Sequence, residues 1–194
     1  MLTITLAIAA SLIQIIGHVI YNKELESKPN LTSWTIWGIT SLIDTLNYID
    51  LTGDWQKNLL AITCAVSCLV TWLLLLFRGR FSIPKLKEYL SLAISGLAIV
   101  LWKKFSLLRE SSAVLQVDNI LSFIPIIAST WSEPDTERPR AWLWWTVSYG
   151  LGTLVVVLRM NDWVELLYPL SCFVLHLFVA VFALGKHKKL FSNR

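Results

Sequence analysis

Charge is scarce in this sequence. Asp, Glu, Lys and Arg make up 15% of its 194 residues, against about 25% in an average soluble domain. Hydrophobic residues make up 55% and the mean hydropathy is +0.60, so a soluble globular enzyme is a poor fit. Glycine and proline are also few, 8 and 6, which excludes collagen-like and Pro/Gly-rich low-complexity chains. Aromatics reach 12%, which excludes disorder by composition. The three cysteines, Cys64, Cys68 and Cys172, all lie inside apolar runs. They read as small packing residues rather than a disulfide framework or a metal site. The three histidines are scattered, and no H-E-x-x-H or comparable zinc spacing occurs. P-loops, G-x-S-x-G elbows and Gly-rich dinucleotide fingerprints are absent too, so enzyme readings have little to stand on and no cofactor is expected. The last apolar run, 162–185, contains no lysine, which removes a retinal protein.

What is present is a series of apolar stretches, at about 2–21, 32–50, 58–77, 88–102, 112–130, 141–158 and 162–185. A bilayer span needs about 20 predominantly apolar residues. The pattern predicts an all-α membrane protein of seven helices joined by short polar loops. The fourth stretch is short and holds Ser91, Ser95 and Gly96, so a re-entrant or interfacial segment is the alternative there. The first stretch has no basic residue before Lys23, which reads as a retained helix and not a signal peptide.

With seven spans, alternate loops share a side. Lys23, Lys28, Arg78, Arg80, Lys85, Lys87, Arg138, Arg140, Lys186, Lys188, Lys189 and Arg194 fall on one side; Lys57, Lys103, Lys104, Arg109 and Arg159 fall on the other. Twelve against five predicts an N-terminus outside and a C-terminus in the cytoplasm, and the small size and short tails make the cell (inner) membrane the expected location. The net charge of +4 is thereby assigned to basic loops, a basic tail and lipid headgroups, not to nucleic acid.

An internal repeat is visible. Trp34 and Trp37 form a W-x-x-W, and so do Trp142 and Trp145, at an offset of 108. The same offset places Ile13 on Leu121, Ile16 on Ile124, Gly17 on Pro125 and Ile43 on Leu151. Each Trp pair opens a helix directly after a charged, Pro-containing loop. Residues 1–77 therefore read as one three-helix unit and 111–185 as a second. Residues 78–110 form a linker with a short inversion helix, and 186–194 a basic tail. An odd number of spans between two such units lets them share one orientation.

Inside a bilayer an ionisable group is costly and is a functional candidate. Asp44 lies deep in the second stretch with Asn47 one turn on; Asp118 and Asn119 lie in the fifth. Gln14 and His18 share a face of the first helix. Carboxylates and Trp faces around a cavity suit a polar solute, cationic ones included. Trp34, Trp37, Trp142 and Trp145 read either as an interfacial belt or as a symmetric inner wall.

The 3+1+3 plan resembles that of the PQ-loop/SWEET superfamily, and the W-x-x-W pairs are similar to those of the Pnu-type vitamin transporters. No Pro-Gln dipeptide occurs; the corresponding loops read Lys28-Pro29-Asn30 and Glu133-Pro134-Asp135. The resemblance implies alternating access by two bundles around a midplane cavity, with Pro125 and Gly17 at the hinge positions. It also implies transport of a small polar metabolite, passively or coupled to protons. A non-transporting receptor, scaffold or complex subunit is the competing expectation. Partners are a small solute and membrane lipids, with a second copy of the chain as a further candidate.

Overall fold

The computed structural model describes residues 1–24, 31–77 and 86–185. The loop carrying Lys28-Pro29-Asn30, the loop carrying Arg78, Arg80 and Lys85, and the tail 186–194 lie outside the described residues. Within them the chain is all-helical, with seven α-helices and no strand. These are α1 (Leu2–Lys23), α2 (Leu31–Thr52), α3 (Trp55–Phe77), α4 (Leu86–Phe105), α5 (Leu108–Ser132), α6 (Pro139–Arg159) and α7 (Leu167–Ala183). Short 3-10 turns at Pro134–Thr136 and Trp163–Leu166 precede α6 and α7.

Local chemistry sets several of the ends. Gly53 stops α2 in a left-handed conformation, φ +58, which glycine adopts without a Cβ clash. Pro139 opens α6, where its missing N–H costs nothing. α4 and α5 are separated only by Ser106 and Leu107, and Ser106 takes the left-handed turn, φ 57. The fourth apolar stretch lies within one unbroken helix: α4 runs 20 residues, about 30 Å of helix, with charged residues at its ends.

The helices are sorted opposite to those of a soluble protein. On α1 the exposed face is Ile4, Ile8, Leu12, Ile15, Ile16 and Val19, while Ser11, Gln14, Gly17 and His18 point inward. α3 exposes Ile62, Val66, Val70 and Leu73 and buries Lys57, Asn58, Cys64, Cys68 and Thr71. α7 exposes Val174, Leu177, Phe178 and Val181 and buries Cys172 and His176. A lipid solvent accepts such an exterior, and the polar side chains then find their partners between helices.

Among the described residues, five segments are long and apolar enough to cross a membrane: Leu2–Lys23, Trp55–Phe77, Leu108–Ser132, Pro139–Arg159 and Trp163–Ala183. α2 and α4 form where the sequence predicts helices but are less apolar. α2 carries Asp44, Asn47 and Asp50; α4 carries Lys87, Glu88, Lys103 and Lys104.

α3 packs against both α1 and α2, and α7 against both α5 and α6. α1 lies along α6, α2 along α5, and α4 along α5 and α2. Trp102 on α4 donates from Nε1 to Asp50 Oδ2 on α2 at 3.1 Å. The core lies where α1, α2, α3, α5, α6 and α7 converge, with α4 outside it.

Candidate functional site

Those six helices enclose a cavity with about 650 Å³ of space free of atoms, its mouth included. Its wall toward the start of α2 and α6 is aromatic. Trp34 and Trp37 meet edge to face at 5.3 Å between ring centres, and Trp142 and Trp145 do the same at 5.1 Å. Trp145 contacts His18 at 4.7 Å, His18 contacts Trp34, Trp37 contacts Phe123, and Phe123 contacts Trp142. These six rings form a closed circuit drawn from α1, α2, α5 and α6. Edge-to-face pairs suit the ring quadrupole.

Deeper in, the lining turns polar. Asp44 is 6% exposed, and its two oxygens accept from Gln116 Nε2 at 3.1 Å each. The Gln116 carbonyl in turn accepts from Ser171 Oγ at 2.7 Å, which fixes the amide behind the carboxylate. No cationic side chain among the described residues pairs with Asp44. Gln14 Oε1 is buried in the lining without a hydrogen-bond partner among the described residues, and so is Trp145 Nε1. Leaving such atoms unsatisfied costs about 1–3 kcal/mol each, so both favour a polar guest or ordered water.

All three cysteines line the cavity. Each sulfur has a polar neighbour: Tyr149 Oη donates to Cys64 Sγ at 3.0 Å, Ser41 Oγ to Cys68 Sγ at 3.8 Å, and Asn119 Nδ2 to Cys172 Sγ at 3.3 Å. The ligand atoms of His18, Cys64 and Cys68 lie within 4.8 Å of one another. His176 also lines the cavity, with Nδ1 hydrogen-bonded to the Cys172 carbonyl at 2.7 Å.

At the opposite end from the tryptophans, two ion pairs tie the helices together. Lys57 Nζ meets Glu165 Oε2 at 2.6 Å, both side chains buried. Arg159 Nε meets Asp54 Oδ2 at 2.6 Å. Burial works to raise the Asp54 carboxyl pKa, but the Arg159 hydrogen bond, a backbone bond from Gln56 and the Arg159 and Lys57 charges outweigh it, so the net shift is downward. Tyr48 Oη adds a 2.8 Å bond to the Glu165 carbonyl. At the tryptophan end, in the loop before α6, Glu137 Oε2 accepts from Trp142 Nε1 at 2.9 Å. Burial pushes its carboxyl up to about 7, against the lowering effect of the Trp142 bond.

Among the residues singled out from sequence, the structure brings Gln14, His18, Trp34, Trp37, Asp44, Asn119, Trp142 and Trp145 into one lining. It places two elsewhere. Asn47 is buried but donates to Ser111 Oγ at 3.2 Å, and Asp118 accepts from Ser95 Oγ at 2.7 Å. Ser111 belongs to α5, which packs on α2, and Ser95 belongs to α4, which packs on α5. Gly17 lies under the Trp145 indole, where a Cβ would stand 2.5 Å from Nε1. Pro125 is half-buried in α5 and outside the lining. Trp37 reaches α5 itself, donating to Ser122 Oγ at 3.0 Å.

Sequence reasoning gave no site role to the cysteines, His176, Tyr168 or the Lys57–Glu165 pair. A signal for most of them was present: the offset of 108 that links the Trp pairs also links Cys64 to Cys172, Cys68 to His176, Asp54 to Asp162 and Lys57 to Glu165. Compared with known proteins, the chain matches no family model, no curated protein and no solved structure.

Proposed function

We propose that the protein is a seven-span carrier of the 3+1+3 plan, similar to the PQ-loop/SWEET superfamily. In this reading it moves a small polar solute, cationic metabolites foremost, by alternating access. The observation that carries the reading is Asp44: a buried carboxylate, free of cationic partners among the described residues, facing an aromatic cavity between two helix triplets. A carboxylate held that way attracts a cation, and the surrounding tryptophan faces add cation–π attraction.

Several features support the repeat. α3 has in α1 and α2 the neighbours that α7 has in α5 and α6, and α1 on α6 is matched by α2 on α5. The two Trp pairs share one edge-to-face geometry. Lys57 and Glu165, 108 residues apart, meet each other. Parallel repeats around an axis along the membrane normal are an established transporter plan. The Arg140–Glu24 pair joins the two triplets at the tryptophan end, and the Lys57–Glu165 and Arg159–Asp54 pairs join them at the end away from the tryptophans. The basic-residue count puts that end outside the cell membrane and the tryptophan wall toward the cytoplasm, with Gly17 and Pro125 as hinge positions.

The test is uptake into proteoliposomes of a panel of sugars, amino acids and cationic vitamins. One class should be taken up by the native chain and its rate should fall at least about tenfold in Asp44→Asn. No uptake of any class by folded, oriented protein overturns the carrier reading in favour of a receptor or scaffold. Uptake indifferent to Asp44→Asn removes Asp44 from the pathway.

A further inference from the structure

The cysteines and His18 are more than packing residues. Cys64 and Cys68 lie one turn apart on α3, their sulfurs 4.0 Å from each other, and His18 on α1 brings a ring nitrogen into the same group. Two metal–sulfur bonds of about 2.3 Å at tetrahedral to trigonal angles put the sulfurs about 3.8–4.0 Å apart, the separation seen here. His18 Nδ1 is hydrogen-bonded to Thr71 Oγ1 at 3.3 Å, and Asn22 Nδ2 donates to the same oxygen at 3.0 Å. Thr71 is fully buried. That leaves Nε2 as the nitrogen for a ligand and fixes the ring from behind, as the second partner of a metal-binding imidazole does. Tyr149 and Ser41 direct hydroxyls at the two sulfurs, which supports thiolates.

We propose that His18, Cys64 and Cys68 form a three-ligand site for a soft, thiophilic d10 cation, Zn²⁺ or Cu⁺. Thiolate sulfur and imidazole nitrogen are ligands these ions share. Zn²⁺ held by two thiolates displaces both thiol protons, and Cu⁺ held by one thiolate with the other cysteine still a thiol displaces one, so either complex is neutral and tolerates burial. The group lines the cavity, so a fourth position faces the open space, as in three-ligand zinc sites that keep one place for water or a guest. The site stands whether or not the chain is a carrier.

The experiment uses the full chain, reduced and in detergent. Titration with Co²⁺ should produce thiolate-to-cobalt charge-transfer bands, and competition against chromophoric chelators should give one Zn²⁺ or one Cu⁺ per chain. The ion that binds, and whether two protons or one are released, separates the two. Cys64→Ser and Cys68→Ser should each weaken binding by more than the roughly 10- to 100-fold that loss of a supporting partner costs, and Thr71→Val should fall within that range. Cys172→Ser should keep the bands. Should a serine variant not fold, the native chain decides alone, by mass spectrometry after alkylation: bound metal should protect Cys64 and Cys68. Equal alkylation with and without metal, binding of neither ion, or bands that survive Cys64→Ser together with Cys68→Ser overturns the site.

Discussion

Replacing Glu137 by glutamine should make the protein more stable at alkaline pH and remove much of its acid preference. Glu137 sits in the loop before α6, and its carboxylate accepts from the Trp142 indole. Its folded-state pKa is raised from the ordinary 4.5 to about 7, chiefly because burial disfavours the charged form. The native state therefore holds this proton more tightly than the unfolded chain does. Its contribution to stability is fully present below about pH 4.5, declines as pH climbs toward about 7, and is level above that. At 1.36 kcal/mol per decade, the rise amounts to about 3 kcal/mol in total, most of it lost between pH 5 and 8. For a chain of this size that is a fall of about 5–10 °C in unfolding midpoint. Glu137→Gln keeps an acceptor for Trp142 and cannot ionise, so its midpoint should lack this component. Thermal unfolding of the two proteins in one detergent, from pH 5 to 8, gives the difference directly. Infrared spectroscopy adds a protonated-carboxyl band in the native protein, absent from the variant and titrating near pH 7. Parallel midpoint curves, or no such band, would refute the argument that burial governs this carboxyl.

Other substitutions test the packing. Lys57→Met leaves the Glu165 carboxylate buried without its cation and should cost about 3–5 kcal/mol, while Lys57→Met with Glu165→Gln should recover most of it; chemical denaturation of both checks this. Gly17→Ala puts a Cβ 2.5 Å from the Trp145 indole nitrogen, which must move the ring at a cost of about 1–3 kcal/mol, read by denaturation and tryptophan emission together. Gly152→Ala meets Leu60 Cδ2, the end of a flexible side chain, and should cost less than Gly17→Ala in the same assay.

The helices were legible because length and apolarity decide them: every predicted stretch carries a helix. α4 is longer than expected because Lys103 and Lys104 read as loop residues, yet they continue the helix, Lys103 paired with Asp50 and stacked on Trp102. The direction in which each polar side chain points was less legible. Asn47 follows Asp44 by three residues, close enough to share a face, but the position of α5 beside α2 turns it toward Ser111. That position is a tertiary fact with no trace in helical period. The cysteines were hidden for another reason. A thiol in an apolar run scores as a small hydrophobe, and only the convergence of α1 on α3 brings His18 beside Cys64 and Cys68.

The closed circuit of rings around the cavity gives this protein an optical gauge of its own. Four of its ten tryptophans belong to that circuit and lie in pairs about 5 Å apart, near enough for their excited states to couple. Each pair sits on one helix, so its coupling survives any rigid movement of that helix. The links through His18 and Phe123 cross from helix to helix and do not. Near-ultraviolet circular dichroism and fluorescence anisotropy would thus separate a cavity that opens between helices from one that merely fills, with no label attached.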